Sequence, residues 1–204
     1  RDDNGMIRTI GEIYREAKNG YSALDDTDTF PPAPTANSNK LRYVLLADPA
    51  MRLAIPSYNI VLDEVAGRPV VPVDDTDDPA LLMARQQTTV KGHIEDAFGN
   101  KLEGFNGLLN ATLYDAEYSV TTRGNGDGKD KIGKPVTFEQ QGGRLFVGTG
   151  KVKNGEFTLN VVMPAEVADN YRPAAFSMYA YTESGVEATG VCRDLYVYGT
   201  DPNA

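Results

Sequence analysis

Beyond residue 57, apolar and polar residues alternate in short runs, and each run ends at a turn signal. Residues 58–65 alternate and stop at Ala66-Gly67-Arg68-Pro69, and residues 89–95 stop at Asp96-Ala97-Phe98-Gly99-Asn100. Residues 108–115 and 119–123 flank a short turn, while 136–140 and 144–153 are parted by Gly142-Gly143. Asn154-Gly155 favours the primed turns of tight hairpins. Residues 156–163 place Phe157, Leu159, Val161 and Met163 on one face and end at Pro164; residues 175–182 and 192–198 complete the series. A period of two over such runs is the pattern of half-buried strands. Short strands separated by turns predict an antiparallel β-sandwich. Residues 73–78 read as an acidic connector, and 79–87 are expected to hold one helical turn.

The first 56 residues follow another pattern. Thr9 and Glu12 have capping-box spacing, Ile10, Ile13, Tyr14 and Ala17 recur at helical intervals, and Asn19-Gly20 is a stop. This predicts an amphipathic helix of about three turns. Residues 25–40 are polar and proline-rich and read as a surface loop. Residues 41–47 are almost continuously apolar, as in a strand buried on both faces of a parallel sheet. Residues 1–56 therefore read as the closing helix, loop and strand of an α/β domain, and 57–204 as the sandwich.

Composition narrows the functional classes. At 41% apolar the chain can build a core, and a net charge of −9 sets it against phosphate backbones and anionic membrane surfaces. No nucleic-acid partner and no membrane insertion are expected; no run approaches the length of a transmembrane helix. A single cysteine forbids an internal disulfide. The chain opens without Met and without a signal peptide, which reads as an excised segment.

Candidate chemistry is sparse. Cys192 and His93, the lone residues of their types, would have to form any thiol–imidazole pair. Both fall in predicted strands, where a lone cysteine is ordinarily a small apolar residue. Asn125, Asp127, Lys129 and Asp130 suggest a calcium loop, but Lys129 stands where a ligand is wanted. Asp74, Asp75, Asp77 and Asp78 read as a solvated connector. Tyr179 with Tyr181, and Tyr196 with Tyr198, suggest a stacking platform for sugars, a pattern that cross-strand pairing also produces. No phosphate loop or nucleophile elbow is present. The residue reading assigns no catalytic, cofactor or metal residue. It leaves open a scaffold or interaction module, an adhesion or glycan-binding module, and a small cysteine hydrolase using Cys192 and His93.

Several motifs in order carry a family resemblance. Thr9-Ile10-Gly11-Glu12 with Ala17-Lys18-Asn19, then Tyr43 through Pro56, resemble the end of the catalytic domain in gingipain-type cysteine peptidases. Tyr58-Asn59-Ile60-Val61, residues 90–96, Gly99-Asn100-Lys101-Leu102 and Lys153-Asn154-Gly155-Glu156-Phe157 are closer still to the sortase branch of the type IX secretion system of Bacteroidota. Ala47 departs from the family's Gly-Asp-Pro turn. The resemblance implies that 57–204 is an immunoglobulin-like module following the catalytic domain. It implies a cell-surface endopeptidase or transpeptidase parent at the outer-membrane surface. The partners it implies are the upstream catalytic domain and other secretion-system or surface proteins. The family's catalytic His and Cys lie upstream of the matched motifs, so neither His93 nor Cys192 inherits a role.

Overall fold

A computed structural model of the chain describes residues 7–21, 44–124, 135–168 and 170–203. It divides into two compact units, Arg1–Ser57 and Tyr58–Ala204.

The first unit is built around helix α1, Ile10–Tyr21. Its start is fully capped. The Thr9 amide donates to the Glu12 carboxylate at 2.8 Å, and the Glu12 amide donates back to Thr9 Oγ1 at 3.2 Å. The Thr9 amide and the Thr9 hydroxyl, both donating to this carboxylate, hold the Glu12 carboxyl below the usual range. The two preceding orphan donors, the amides of Ile10 and Gly11, reach the carbonyls of Met51 and Pro49 at 2.8 and 2.9 Å. The Asp48-Pro49 turn thus completes the helix. A β-carbon on Gly11 would lie 2.7 Å from Pro49 Cβ, so the approach requires glycine. The strand expected at 41–47 is not formed over 44–47, and 41–43 lie outside the described residues. Val44 and Leu46 stand exposed with no ladder neighbour among the described residues. An apolar run becomes a strand only where another strand takes its backbone donors and acceptors. The expected loop at 25–40 lies outside the described residues.

The second unit is mainly β, as the alternation predicts. Its strands are β1 (Tyr58–Val65), β2 (Arg68–Pro69), β3 (Ala80–Ala84), β4 (Gln87–Glu95), β5 (Gly107–Tyr114) and β6 (Tyr118–Thr121). They continue with β7 (Thr137–Gln140), β8 (Arg144–Lys153), β9 (Glu156–Val162), β10 (Ala175–Tyr181), β11 (Glu187–Cys192) and β12 (Leu195–Thr200). Hydrogen bonding follows the order β11-β10-β5-β8-β9-β4-β1-β2, and β1 also pairs with β11. Seven strands therefore close into a ring, where two separate facing sheets were expected.

The ring is thin at two seams. Strands β8 and β9 pair only at Val152–Phe157 and Lys153–Glu156, beside their Asn154-Gly155 turn. Strands β1 and β11 pair only at Tyr58–Ala188 and Asn59–Thr189, and in parallel. Between the seams the ladders are long and antiparallel; β5 and β8, for instance, pair from Gly107–Val152 to Tyr114–Arg144. The result is a barrel-like ring of two long-laddered walls.

Inside lies one dry cluster. It includes Ile60 and Leu62 of β1, Ile94 of β4, Leu109 and Leu113 of β5, Leu159 and Val161 of β9, and Phe176 and Met178 of β10. Among the described residues no polar or charged side chain is buried. Each large side chain so removed from water contributes about 1.5–3 kcal/mol. Ala80 and Leu82 of β3 and Leu195 and Val197 of β12 join the same cluster, through a small parallel sheet.

Two expectations need correction here. The helical turn at 79–87 is strand β3, because pairing with β12 and the burial of Ala80, Leu82 and Ala84 outweigh the helix preference of its leucines and Met83. The single strand expected at 192–198 is the end of β11 and the start of β12, divided at Arg193-Asp194. Strand β11 escapes the periodicity because Gly190 falls on its inner face and the exposed Val191 on its outer one.

Close approach at the β1–β11 seam depends on Gly190, where a β-carbon would lie 2.1 Å from the Ile60 carbonyl oxygen. Gly190→Ala is expected to cost about 1–3 kcal/mol, the usual penalty for forcing a backbone apart. Thermal unfolding followed by circular dichroism checks this; an unchanged midpoint would show that the seam does not need the contact.

Candidate functional site

The pleat gives the two walls different outer surfaces. On the wall β11-β10-β5-β8, Lys151 stands opposite Leu108, Leu108 opposite Tyr181, and Tyr181 opposite Glu187. The next row runs Thr149, Asn110, Tyr179, Thr189, and the third Val147, Thr112, Ser177, Val191. Leu108, Val147, Tyr179, Tyr181 and Val191 are exposed. This wall shows water an aromatic and β-branched surface with a cation at one margin. The Tyr179 hydroxyl donates to Glu187, which raises the phenol above its ordinary value. At the hairpin end an open groove is lined by Asn106, Leu108, Lys151, Lys153, Asn154 and Tyr181 among others.

The opposite wall is charged. Asp63 is the extra residue of a bulge between the pairs Leu62–Gly92 and Glu64–Lys91. The bulge carries its carboxylate to His93 Nδ1, at 2.9 and 3.0 Å. Glu95 approaches Nε2 at 3.6 Å, and Lys91 pairs with Glu64 at 2.7 Å. Lys101 pairs with Glu156, which stands across the ladder from His93. His93 thus shares a proton-bearing contact with a surface carboxylate and meets no nucleophile among the described residues.

Cys192 lies on the other side of the strands. His93 alternates with buried Gly92 and Ile94 and points outward, whereas Cys192 follows Ala188 and Gly190 on the inner face and packs against the core. The two cannot form a dyad. Burial pushes the Cys192 thiol above its ordinary value, the opposite of what a nucleophile needs.

The tyrosines form two clusters. Tyr179 and Tyr181 have ring centroids 5.9 Å apart on β10. Tyr196 and Tyr198 lie on β12, in a different sheet, and are joined by Tyr171, which stacks on Tyr196 at 4.6 Å and meets Tyr198 edge-on at 5.4 Å. Nothing in the sequence singles out Tyr171. It sits in an irregular segment at φ 35°, brought into place by the Pro173–Tyr196 bridge, and no periodicity marks it. The acidic connector forms a short 3-10 turn, Val73–Asp75, whose first amide donates to Asp194 at 3.2 Å, and Asp78 pairs with Arg68. Among the described residues no three His, Cys, Asp or Glu side chains converge as metal ligands do. Asn125, Asp127, Lys129 and Asp130 lie outside the described residues.

The thiol environment predicts slow alkylation. At pH 8, native protein should react with iodoacetamide at least about tenfold more slowly than the urea-unfolded chain. Equal rates would contradict the inward, half-buried placement of Cys192.

No protein-family model matches the chain, and no curated protein sequence matches it. Among solved structures, dimeric latent PorU from Porphyromonas gingivalis is similar to it with a TM-score of 0.62 and 24% identity. The likeness covers 99% of this chain and 17% of that one. The chain thus resembles, in fold, a small part of a much longer protein, and the resemblance carried by the sequence motifs points to that same protein. The sporulation control protein Spo0M from Bacillus subtilis matches at a TM-score of 0.36 and 10% identity, over 71% of this chain and 50% of that one, which is too slight to carry an argument.

Proposed function

We propose that the chain is the non-catalytic C-terminal segment of a PorU-like cysteine peptidase. In this reading residues 1–56 are the closing elements of the α/β peptidase domain. Residues 57–204 are a variant of the family's immunoglobulin-like module, its two sheets joined at thin seams, and serve as scaffold or interaction module. The whole protein would be a sortase of the type IX secretion system at the outer-membrane surface. It would remove C-terminal secretion signals from cargo and attach the cargo to surface lipopolysaccharide. The upstream catalytic domain is then the first partner, and other secretion-system or surface proteins are further ones.

The observation that carries this reading is the fold likeness to PorU over 99% of the chain. Two local features support it. Val44 and Leu46 are exposed in an apolar run that suits a strand awaiting its sheet. The single Cys and single His face away from each other, as fits a segment that leaves the chemistry to another part of the protein. A small cysteine hydrolase built on Cys192 and His93 has no such pair to work with. An adhesion or glycan-binding role is the remaining alternative; it rests on Tyr179 and Tyr181, since Tyr196 and Tyr198 lie in another sheet.

The test compares this chain with the full product of its gene against a fluorogenic peptide library under reducing conditions. The isolated chain is expected to cleave nothing. The full product is expected to cleave through a cysteine upstream of Arg1, with activity lost when that cysteine becomes alanine. Cleavage by the isolated chain, or a full product lacking an upstream His and Cys, overturns the reading.

A further inference from the structure

The β8–β9 seam leaves one strand edge unused. The two-residue turn Asn154-Gly155, with φ of 51° and 75°, makes Lys153 and Glu156 the hydrogen-bonded pair that closes the hairpin. The backbone of Lys153 therefore faces β9. By alternation the N–H and C=O groups of Lys151, Thr149 and Val147 face the same way, and those of Val152, Gly150 and Gly148 face β5. The ladder to β9 ends at Val152, so the outward groups of Lys151, Thr149 and Val147 have no partner there. Among the described residues no turn, loop or side-chain hydrogen bond reaches them either. All three residues are exposed, and Val147 keeps 63% of its surface. No proline interrupts the edge, and β8 is ten residues long. A long, unguarded edge is a template for another strand.

The charge on this edge is unusual for the molecule. The chain carries a net −9. Among the described residues of the second unit, Arg68, Lys91, Lys101, Arg172 and Arg193 are all paired with carboxylates. Arg85, Arg123, Arg144, Lys151 and Lys153 are not, and the last three lie on β8. The matching edge of β9 offers Thr158, Asn160 and Val162 and no cation. Lys151 and Lys153 also line the groove at the hairpin end, beside Asn106 and Leu108.

We propose that the free edge of β8 takes up an extended acidic segment of another protein as an added strand. Backbone bonds to Val147, Thr149 and Lys151 would hold it, and Lys151 and Lys153 would meet its carboxylates at the groove. Lone charges give little affinity in water, so their contribution is to select and orient a segment whose main chain provides the attachment. The inference does not depend on the parent being a peptidase.

The probe is a fluorescein-labelled blocked octapeptide, Thr-Val-Thr-Val-Thr-Glu-Thr-Glu, titrated into the whole chain at low salt. Saturable binding is expected, with the amides of Val147, Thr149 and Lys151 gaining exchange protection in the same complex. Thr149→Pro removes one outward N–H at a position where an edge strand tolerates proline, and should weaken binding about tenfold or more. Lys151→Glu with Lys153→Glu should weaken it similarly, and a peptide with lysines in place of the glutamates should bind more weakly still. No saturation at millimolar peptide overturns the proposal. So does protection confined to other strands, or a Thr149→Pro variant, shown folded by circular dichroism, that binds as well as the parent.

Discussion

Everything in the second unit hangs on the need to pair the backbone of strands that enclose a core without polar side chains. Buried N–H and C=O groups left without partners cost more than most side-chain contacts return. The long ladders of β10, β5 and β8, and of β9, β4 and β1, meet that need across the two walls. Where the walls meet, the chain pairs two residues at each seam and then lets the strands part. Gly190 at one seam permits a backbone approach that no other residue allows, and Asn154-Gly155 at the other sets the register.

The same constraint divides chemistry from structure. With Phe176, Leu109 and Val161 sealing the interior, titratable groups are left to the outer faces, and the one thiol is held inside with its ionisation suppressed. His93 reaches from β4 to Asp63 of β1 on the charged wall, with Glu95 beside it and Glu156 across the ladder. The aromatic wall, its basic margin on β8 and the groove at the hairpin end are the most distinctive features of the outer surface.

Local signals made much of this legible. The Thr9–Glu12 capping box, the Tyr58–Val65 strand, the Asn154-Gly155 hairpin and the one-sided burial of Phe157, Leu159 and Val161 all follow from spacing and turn chemistry. Long-range pairing was less legible. Strand β3 looks helical until β12 lies beside it, and β11 is too interrupted to read as a strand until β10 pairs with it. Ring closure rests on two parallel residue pairs between β1 and β11, for which alternation carries no signal. The unused edge of β8 is likewise a matter of register: the strand is plain in the sequence, but the early end of its ladder is not.

Native-state hydrogen exchange along β8, followed residue by residue by NMR, tests the central claim most directly. If the walls meet only at thin seams, protection alternates: the amides of Gly148, Gly150 and Val152 exchange slowly, while those of Val147, Thr149 and Lys151 exchange nearly as fast as in an unfolded chain. Uniform protection from Val147 to Val152 would mean that β8 is paired on both sides, and would contradict both the thin seam and the free edge.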